Sequence, residues 1–219
     1  MTIGFIGSGR IGGTVARLAV AAGYDVVLSN SRGPQTLEDL VQELGQPARA
    51  ATPAEAAAAG DLVVVSIPPR AYSAVPVEPL AGKAVLDTIN YIPERDGRIP
   101  ELYDGALSSS EVLQRRLGTA HVVKVFNNIT CWHLRALARP AGATDRSALP
   151  IAGDDPTAKA AVTAFLDAIG YDIVDAGTLG TGGRRFEFGT PGFVVPYGGL
   201  SDERGTPAGV AAIRAALGV

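Results

Sequence analysis

The stretch from Thr2 to Gly12 narrows the possible folds more than any other part of the chain. Thr2-Ile3-Gly4-Phe5-Ile6 is a short apolar run, and it leads directly into Gly7-Ser8-Gly9-Arg10-Ile11-Gly12. An amphipathic run from Ile11 to Ala22 follows. A strand that turns through G-x-G-x-x-G into a helix is the opening of a dinucleotide-binding βαβ unit. Each glycine has a separate task. Gly7 permits the tight turn, Gly9 lets the backbone approach a pyrophosphate, and Gly12 lets helix and strand pack closely. The unpaired N–H groups of the first helical turn then face the anion.

The rest of the chain repeats this alternation. Further strands are predicted at Asp25 to Leu28, Asp61 to Ile67, Ala84 to Thr88 and His121 to Phe126. Runs such as Leu62-Val63-Val64-Val65 are apolar at every position, as strands buried on both faces are. Helices are predicted at Ile11 to Ala22, Pro34 to Leu44, Pro53 to Ala58 and Glu111 to Leu117, with Thr52 and Ser110 as N-caps. Asn90 to Gly105 carries Pro93, Gly97, Pro100 and Gly105 and reads as a long loop on the rim of the sheet. A second unit follows: a strand at Ala148 to Ala152, a helix at Thr157 to Ile169 and a strand at Tyr171 to Val174. A Gly-rich stretch runs from Ala176 to Gly199, and a last helix from about Pro207 to Leu217. The expected class is α/β, a Rossmann-type doubly wound parallel sheet with a small C-terminal α/β extension. Residues 1–145 would form the nucleotide-binding domain, and residues 146–219 a small part for acceptor binding and dimerisation.

Composition removes several function classes. A net charge of −3 over 219 residues argues against a nucleic-acid surface. The single Cys cannot form an internal bridge, which fits a reducing compartment. The N-terminus lacks a basic region and an apolar stretch of signal-peptide length, and no apolar run reaches the ~20 residues of a membrane span. The expectation is a cytoplasmic protein without a membrane partner. Cys131-Trp132-His133 stands out, yet two His and one Cys in the whole chain are too few for a metal site, and none is expected.

The cofactor type is read after the second strand. An NAD site usually places Asp or Glu there, bonded to the ribose 2′-OH. Here Val26-Val27-Leu28 runs into Ser29-Asn30-Ser31-Arg32. Asn30 and Ser31 can donate hydrogen bonds, and Arg32 offers a planar fork suited to a 2′-phosphate. NADP(H) is therefore expected. Ligands in open α/β sheets bind beyond the carboxyl ends of strands. That rule gathers Ser66-Ile67-Pro68-Pro69, Thr88-Ile89-Asn90, Asn127-Asn128 and Gly153-Asp154-Asp155 around the reacting ring. Pro68 would form a rigid apolar wall, and Asn90 and Asn127 would bond the carboxamide or the second substrate, or else be satisfied loop amides. Lys124 lies inside an apolar strand and reads as structural ahead of ligand-binding. Arg184-Arg185 reads as a solvated pair or an anchor for an acidic substrate tail. No catalytic acid or base stands out.

Taken together, these residues resemble the coenzyme F420-dependent NADP oxidoreductases. The resemblance runs from Gly7-x-Gly9-x-x-Gly12 through Asn30-Ser31-Arg32 and Ser66-Ile67-Pro68 to Ala152-Gly153-Asp154-Asp155, and ends at Asp175-Ala176-Gly177-x-Leu179. It implies a homodimer and direct hydride exchange between NADP(H) and the deazaflavin coenzyme F420. It also implies that Ser8, Gly9, Arg10 and Ile11 line the pyrophosphate turn. Asn30, Ser31 and Arg32 would take the 2′-phosphate, and Ile67 and Pro68 would flank the nicotinamide. Asn127-Asn128 stands where the family's reference members carry a His-Thr pair. Two other readings stay open: an NADPH-dependent reductase of a flavin, imine, carbonyl or metal chelate, and a module that binds NADPH without turnover.

Overall fold

A computed structural model describes residues 1–219. Eight strands form one sheet in the order β3-β2-β1-β4-β5-β6-β7-β8. They are β1 (Thr2–Ile6), β2 (Asp25–Ser29), β3 (Ala48–Ala50), β4 (Leu62–Val65), β5 (Ala84–Asp87), β6 (His121–Lys124), β7 (Ala148–Gly153) and β8 (Asp172–Asp175). Neighbouring strands are parallel except β6 and β7, which pair antiparallel. The helices are α1 (Arg10–Ala21), α2 (Glu38–Leu44), α3 (Pro53–Ala59), α4 (Pro93–Asp96), α5 (Pro100–Tyr103), α6 (Ser109–Leu117), α7 (Cys131–Ala136), α8 (Pro156–Ala168) and α9 (Val210–Leu217). None is long and apolar enough to cross a membrane.

The period of two in a strand explains the apolar runs. Ile3 and Phe5 of β1, with Leu62 and Val64 of β4, face a core shared with Val15 and Ala19 of α1 and Val162 and Phe165 of α8. Ile6, Val63 and Val65 face a second core with Ala57 of α3 and Leu113 and Leu117 of α6. Helices thus cover both faces, as the doubly wound expectation requires. The chain leaves β1 toward β2 and β3, then returns to place β4 on the other side of β1. This reversal opens a crevice at the carboxyl ends of β1 and β4.

Several element boundaries differ from the sequence expectation. β3 is an edge strand of three residues, too short for a periodic signal. β6 stops at Lys124 because Phe126 adopts φ 65° and turns the chain out of the sheet. The Asn90–Gly105 rim holds two short helices, α4 and α5, each started by a proline in its first turn. The cap of α6 is Ser108 rather than Ser110. Ser108 Oγ accepts from Glu111 N at 3.2 Å, and Glu111 Oε2 accepts from Ser108 N at 2.7 Å. Ser110, freed from capping, donates to Asp87 Oδ2 at 2.6 Å. Replacing a serine cap by alanine costs about 1 kcal/mol. Ser108→Ala should therefore lower the calorimetric melting temperature by roughly 2–4 °C.

Candidate functional site: a two-part cleft at the strand ends

The first part of the cleft is built by backbone. Gly7 has φ 98°, and a Cβ there would lie 2.3 Å from the Ser66 carbonyl, so the ends of β1 and β4 touch through this residue. A Cβ at Gly12 would lie 2.2 Å from the Gly7 carbonyl, which fixes α1 against the turn. Gly9 differs, because a Cβ there meets nothing within 4 Å. Gly9 is the N-cap of α1, and no side chain caps the helix. The first-turn amides therefore point at open space, a ready anion site. Ser8 Oγ donates to the Ser29 carbonyl at 3.0 Å and ties this turn to the end of β2.

A cavity of about 420 Å³ extends from this turn along Asn30, Ser31 and Arg32, with Ser66, Ile67 and Pro68 on its other side. Asn30 shapes the loop: its Oδ1 accepts from Arg32 N and its Nδ2 donates to Thr36 Oγ1, both at 2.8 Å. The exposed Arg32 guanidinium forms no bond within the protein. Arg70 lines the same cavity and donates to the Arg95 carbonyl at 2.6 Å. Nothing in the sequence singled out Arg70, because it enters the site only through the short 3₁₀ turn Pro69–Ala74.

A second cavity of about 450 Å³ continues from Gly9, Arg10, Ile11, Ser66, Ile67 and Pro68. Its far wall comes from three places. The ends of β5 and β6 give Thr88, Ile89, Asn90, Phe126 and Asn127. The start of α7 gives Cys131 and Trp132, and the Gly-rich tail gives Phe193, Val194 and Leu200. The lining is mostly apolar. It holds two arginines, Arg10 and Arg95, and no carboxylate, imidazole, lysine or phenol.

Asn90 and Asn127 line this cavity, but their amides turn toward the protein. Asn90 Nδ2 donates to the Asn127 carbonyl at 2.6 Å, and Asn127 Nδ2 donates to Asn90 Oδ1 at 3.1 Å. Both also hold the tail. Asn127 Nδ2 donates to the Phe186 carbonyl at 2.8 Å, and Asn90 Oδ1 accepts from Phe188 N at 3.2 Å.

Lys124 is fully buried at the end of β6. Its Nζ donates to Ser109 Oγ at 2.9 Å, Ser110 Oγ at 3.2 Å and Glu187 Oε1 at 3.2 Å. Burial pushes the nearby Asp87 carboxyl above its usual range, while Lys124 and the Ser110 hydroxyl pull it back.

Gly153-Asp154-Asp155 does not join the site. The antiparallel β7 carries its carboxyl end to the amino ends of the other strands, where Asp155 lies 3.8 Å from His121 at the start of β6. Arg184 and Arg185 line neither cavity of the cleft; Arg185 is exposed and Arg184 partly so, as a solvated pair would be, and both also bond the backbone. Arg184 Nε donates to the Gly180 carbonyl at 2.9 Å, and Arg185 donates to the Leu217 carbonyl at 2.7 Å.

Comparison with known proteins adds a match over part of the chain. Residues 2–91 match the family described as NADP oxidoreductase, coenzyme F420-dependent. The resemblance carried by Gly7 to Gly12, Asn30-Ser31-Arg32 and Ser66-Ile67-Pro68 is borne out over that segment. A hypothetical protein from Sinorhizobium meliloti superposes with a TM-score of 0.78 at 28% identity, over 89% of this chain and 93% of the other. A protein from Arthrobacter sp. FB24, provisionally named an F420-dependent NADP reductase, gives 0.68 at 28% identity, over 82% and 86%. A reductive aminase from Aspergillus terreus in complex with NADPH shares the fold at 19% identity and TM-score 0.57, over 83% of this chain and 56% of that one.

Proposed function

We propose that this chain is an NADPH-dependent oxidoreductase that exchanges hydride reversibly between NADP(H) and coenzyme F420. The observation that carries the reading is the continuous cleft, open above Gly9 and walled by Ile67 and Pro68 where its two cavities meet. The residues fit the dinucleotide. First-turn amides of α1, with Ser8, Arg10 and Ile11 beside them, hold the pyrophosphate. Asn30, Ser31 and Arg32 hold the 2′-phosphate. Ser66, Ile67 and Pro68 support one face of the nicotinamide end, and Asn90 and Asn127 close its far side. When bound, NADPH supplies the hydride and the deazaflavin receives it.

The second cavity supports a conjugated acceptor. Reduction of a carbonyl places charge on one oxygen and calls for a positioned proton donor. No carboxylate, imidazole, lysine or phenol lines this cavity, and the side-chain S–H and O–H groups it offers are the Cys131 thiol and the Ser66, Thr88 and Thr130 hydroxyls. A deazaflavin spreads the incoming electron pair over its ring system, so the protein has mainly to hold two rings in register and exclude water. Ile92, Trp132 and Phe193 offer flat or apolar surface for that purpose. In this reading residues 146–219 complete the acceptor wall through Phe193, Val194 and Leu200, and the active form is a cytoplasmic homodimer.

The test is an anaerobic mixture of protein, NADPH and coenzyme F420 across a pH series. The deazaflavin absorbance should fall as F420 is reduced. Constant absorbance at every pH would remove F420 as the acceptor. Turnover of a flavin or imine in the same assay would replace it.

A further inference from the structure

The tail that completes the second cavity is strained where it lines it. Val194 is almost fully buried there, with φ 58° and ψ −35°. Val195 N donates back to the Phe193 carbonyl at 2.6 Å, which closes a γ-turn of the rarer hand. A β-branched residue with positive φ persists only where its surroundings over-determine it. Phe126 is the other non-glycine residue with positive φ, and it lines the same cavity.

The surroundings that hold Val194 come from the ends of β5 and β6. Val194 N donates to the Asn128 carbonyl at 2.9 Å, and Asn128 Nδ2 donates to the Gly192 carbonyl at 3.0 Å. Upstream, Asn90 and Asn127 hold the backbone of Phe186 and Phe188. Between those two anchors sits Glu187. Its Oε1 lies 3.2 Å from the buried Lys124 Nζ, and it also accepts from Ser109 N at 3.3 Å. The stretch from Phe186 to Val194 is thus fixed through the Lys124–Glu187 ion pair and a row of asparagine contacts.

We propose that the Lys124–Glu187 pair is a positioning device for the acceptor. It holds Phe193 and Val194 across from the nicotinamide end, and so sets acceptor affinity without contributing to NADPH binding. The inference rests on the reading that this cleft takes NADPH and a second reactant. Lys124 and Glu187 are positioning residues, since neither lines the cavity.

Trp132 is the only tryptophan of the chain and lines the cavity, so its fluorescence reports the wall directly. The test compares wild type, Glu187→Ala and Glu187→Gln. In both variants Lys124 Nζ keeps the Ser109 and Ser110 hydroxyls as hydrogen-bond partners. Glu187→Ala should raise the acrylamide quenching constant of Trp132 at least ~2-fold and the KM for coenzyme F420 about 10-fold, with kcat within about 3-fold. The NADPH Kd, read by energy transfer from Trp132, should stay within about 2-fold of wild type. Glu187→Gln, which keeps an oxygen for Lys124 and Ser109, should recover part of both effects. Unchanged quenching, or a parallel loss of NADPH affinity, overturns the proposal. If wild type does not reduce F420, the functional reading fails, and the quenching comparison with the NADPH Kd still decides whether the pair holds the wall.

Discussion

Gly9→Ala is expected to weaken NADPH binding severely in a protein that still folds. At φ −76° Gly9 has a backbone any residue can adopt, and a Cβ there meets no protein atom within 4 Å. Alanine is a poorer N-cap than glycine, so the folding cost should be no more than about 1 kcal/mol. The empty space is where the pyrophosphate must approach the α1 amides, and a methyl group there pushes it off the helix terminus. Affinity should fall by roughly 100-fold or more, since each displaced charge-assisted hydrogen bond is worth about 1.5–3 kcal/mol. Gly12→Ala is the matched control. Its Cβ would lie 2.2 Å from the Gly7 carbonyl, so helix and strand must separate. Overpacking of this kind costs about 1–3 kcal/mol or more. Calorimetry and NADPH titration on both variants separate the two roles. Normal NADPH affinity in Gly9→Ala would remove the pyrophosphate site.

Arg32→Ala should raise the KM for NADPH roughly 10- to 100-fold while changing that for NADH less than about 3-fold, because a charged hydrogen bond is worth about 1.5–3 kcal/mol. The guanidinium is exposed, lines the first cavity and has no partner in the protein. Its loop is fixed through Asn30, so truncation of the side chain removes a ligand contact and leaves the loop intact. Arg70 lines the same cavity and would keep part of the attraction for phosphate. Steady-state kinetics with both cofactors decides the matter. Equal effects on NADPH and NADH would sink the 2′-phosphate assignment.

The proposed nucleotide half of the site rests on signals that are local. A turn that needs glycine and the absence of a carboxylate after β2 can be read from neighbours a few residues apart. The acceptor half was not legible in this way. Asn90 and Asn127 were marked by their position after strands, but their partners lie in the Gly-rich tail, which has no periodic pattern. Lys124 in an apolar strand showed that something polar faces it, and only the fold reveals that Glu187 is part of that environment.

What the chain alone determined is therefore the class of fold and the dinucleotide turn, because strand period, helix period and glycine geometry act over short range. Only the tertiary structure decided that β7 joins the sheet antiparallel, which carries Asp154 and Asp155 away from the cleft and places residues 186–200 across it. Strand direction within a sheet follows from contacts between residues far apart in sequence. No local periodicity encodes such contacts, since either direction satisfies the same alternation of buried side chains.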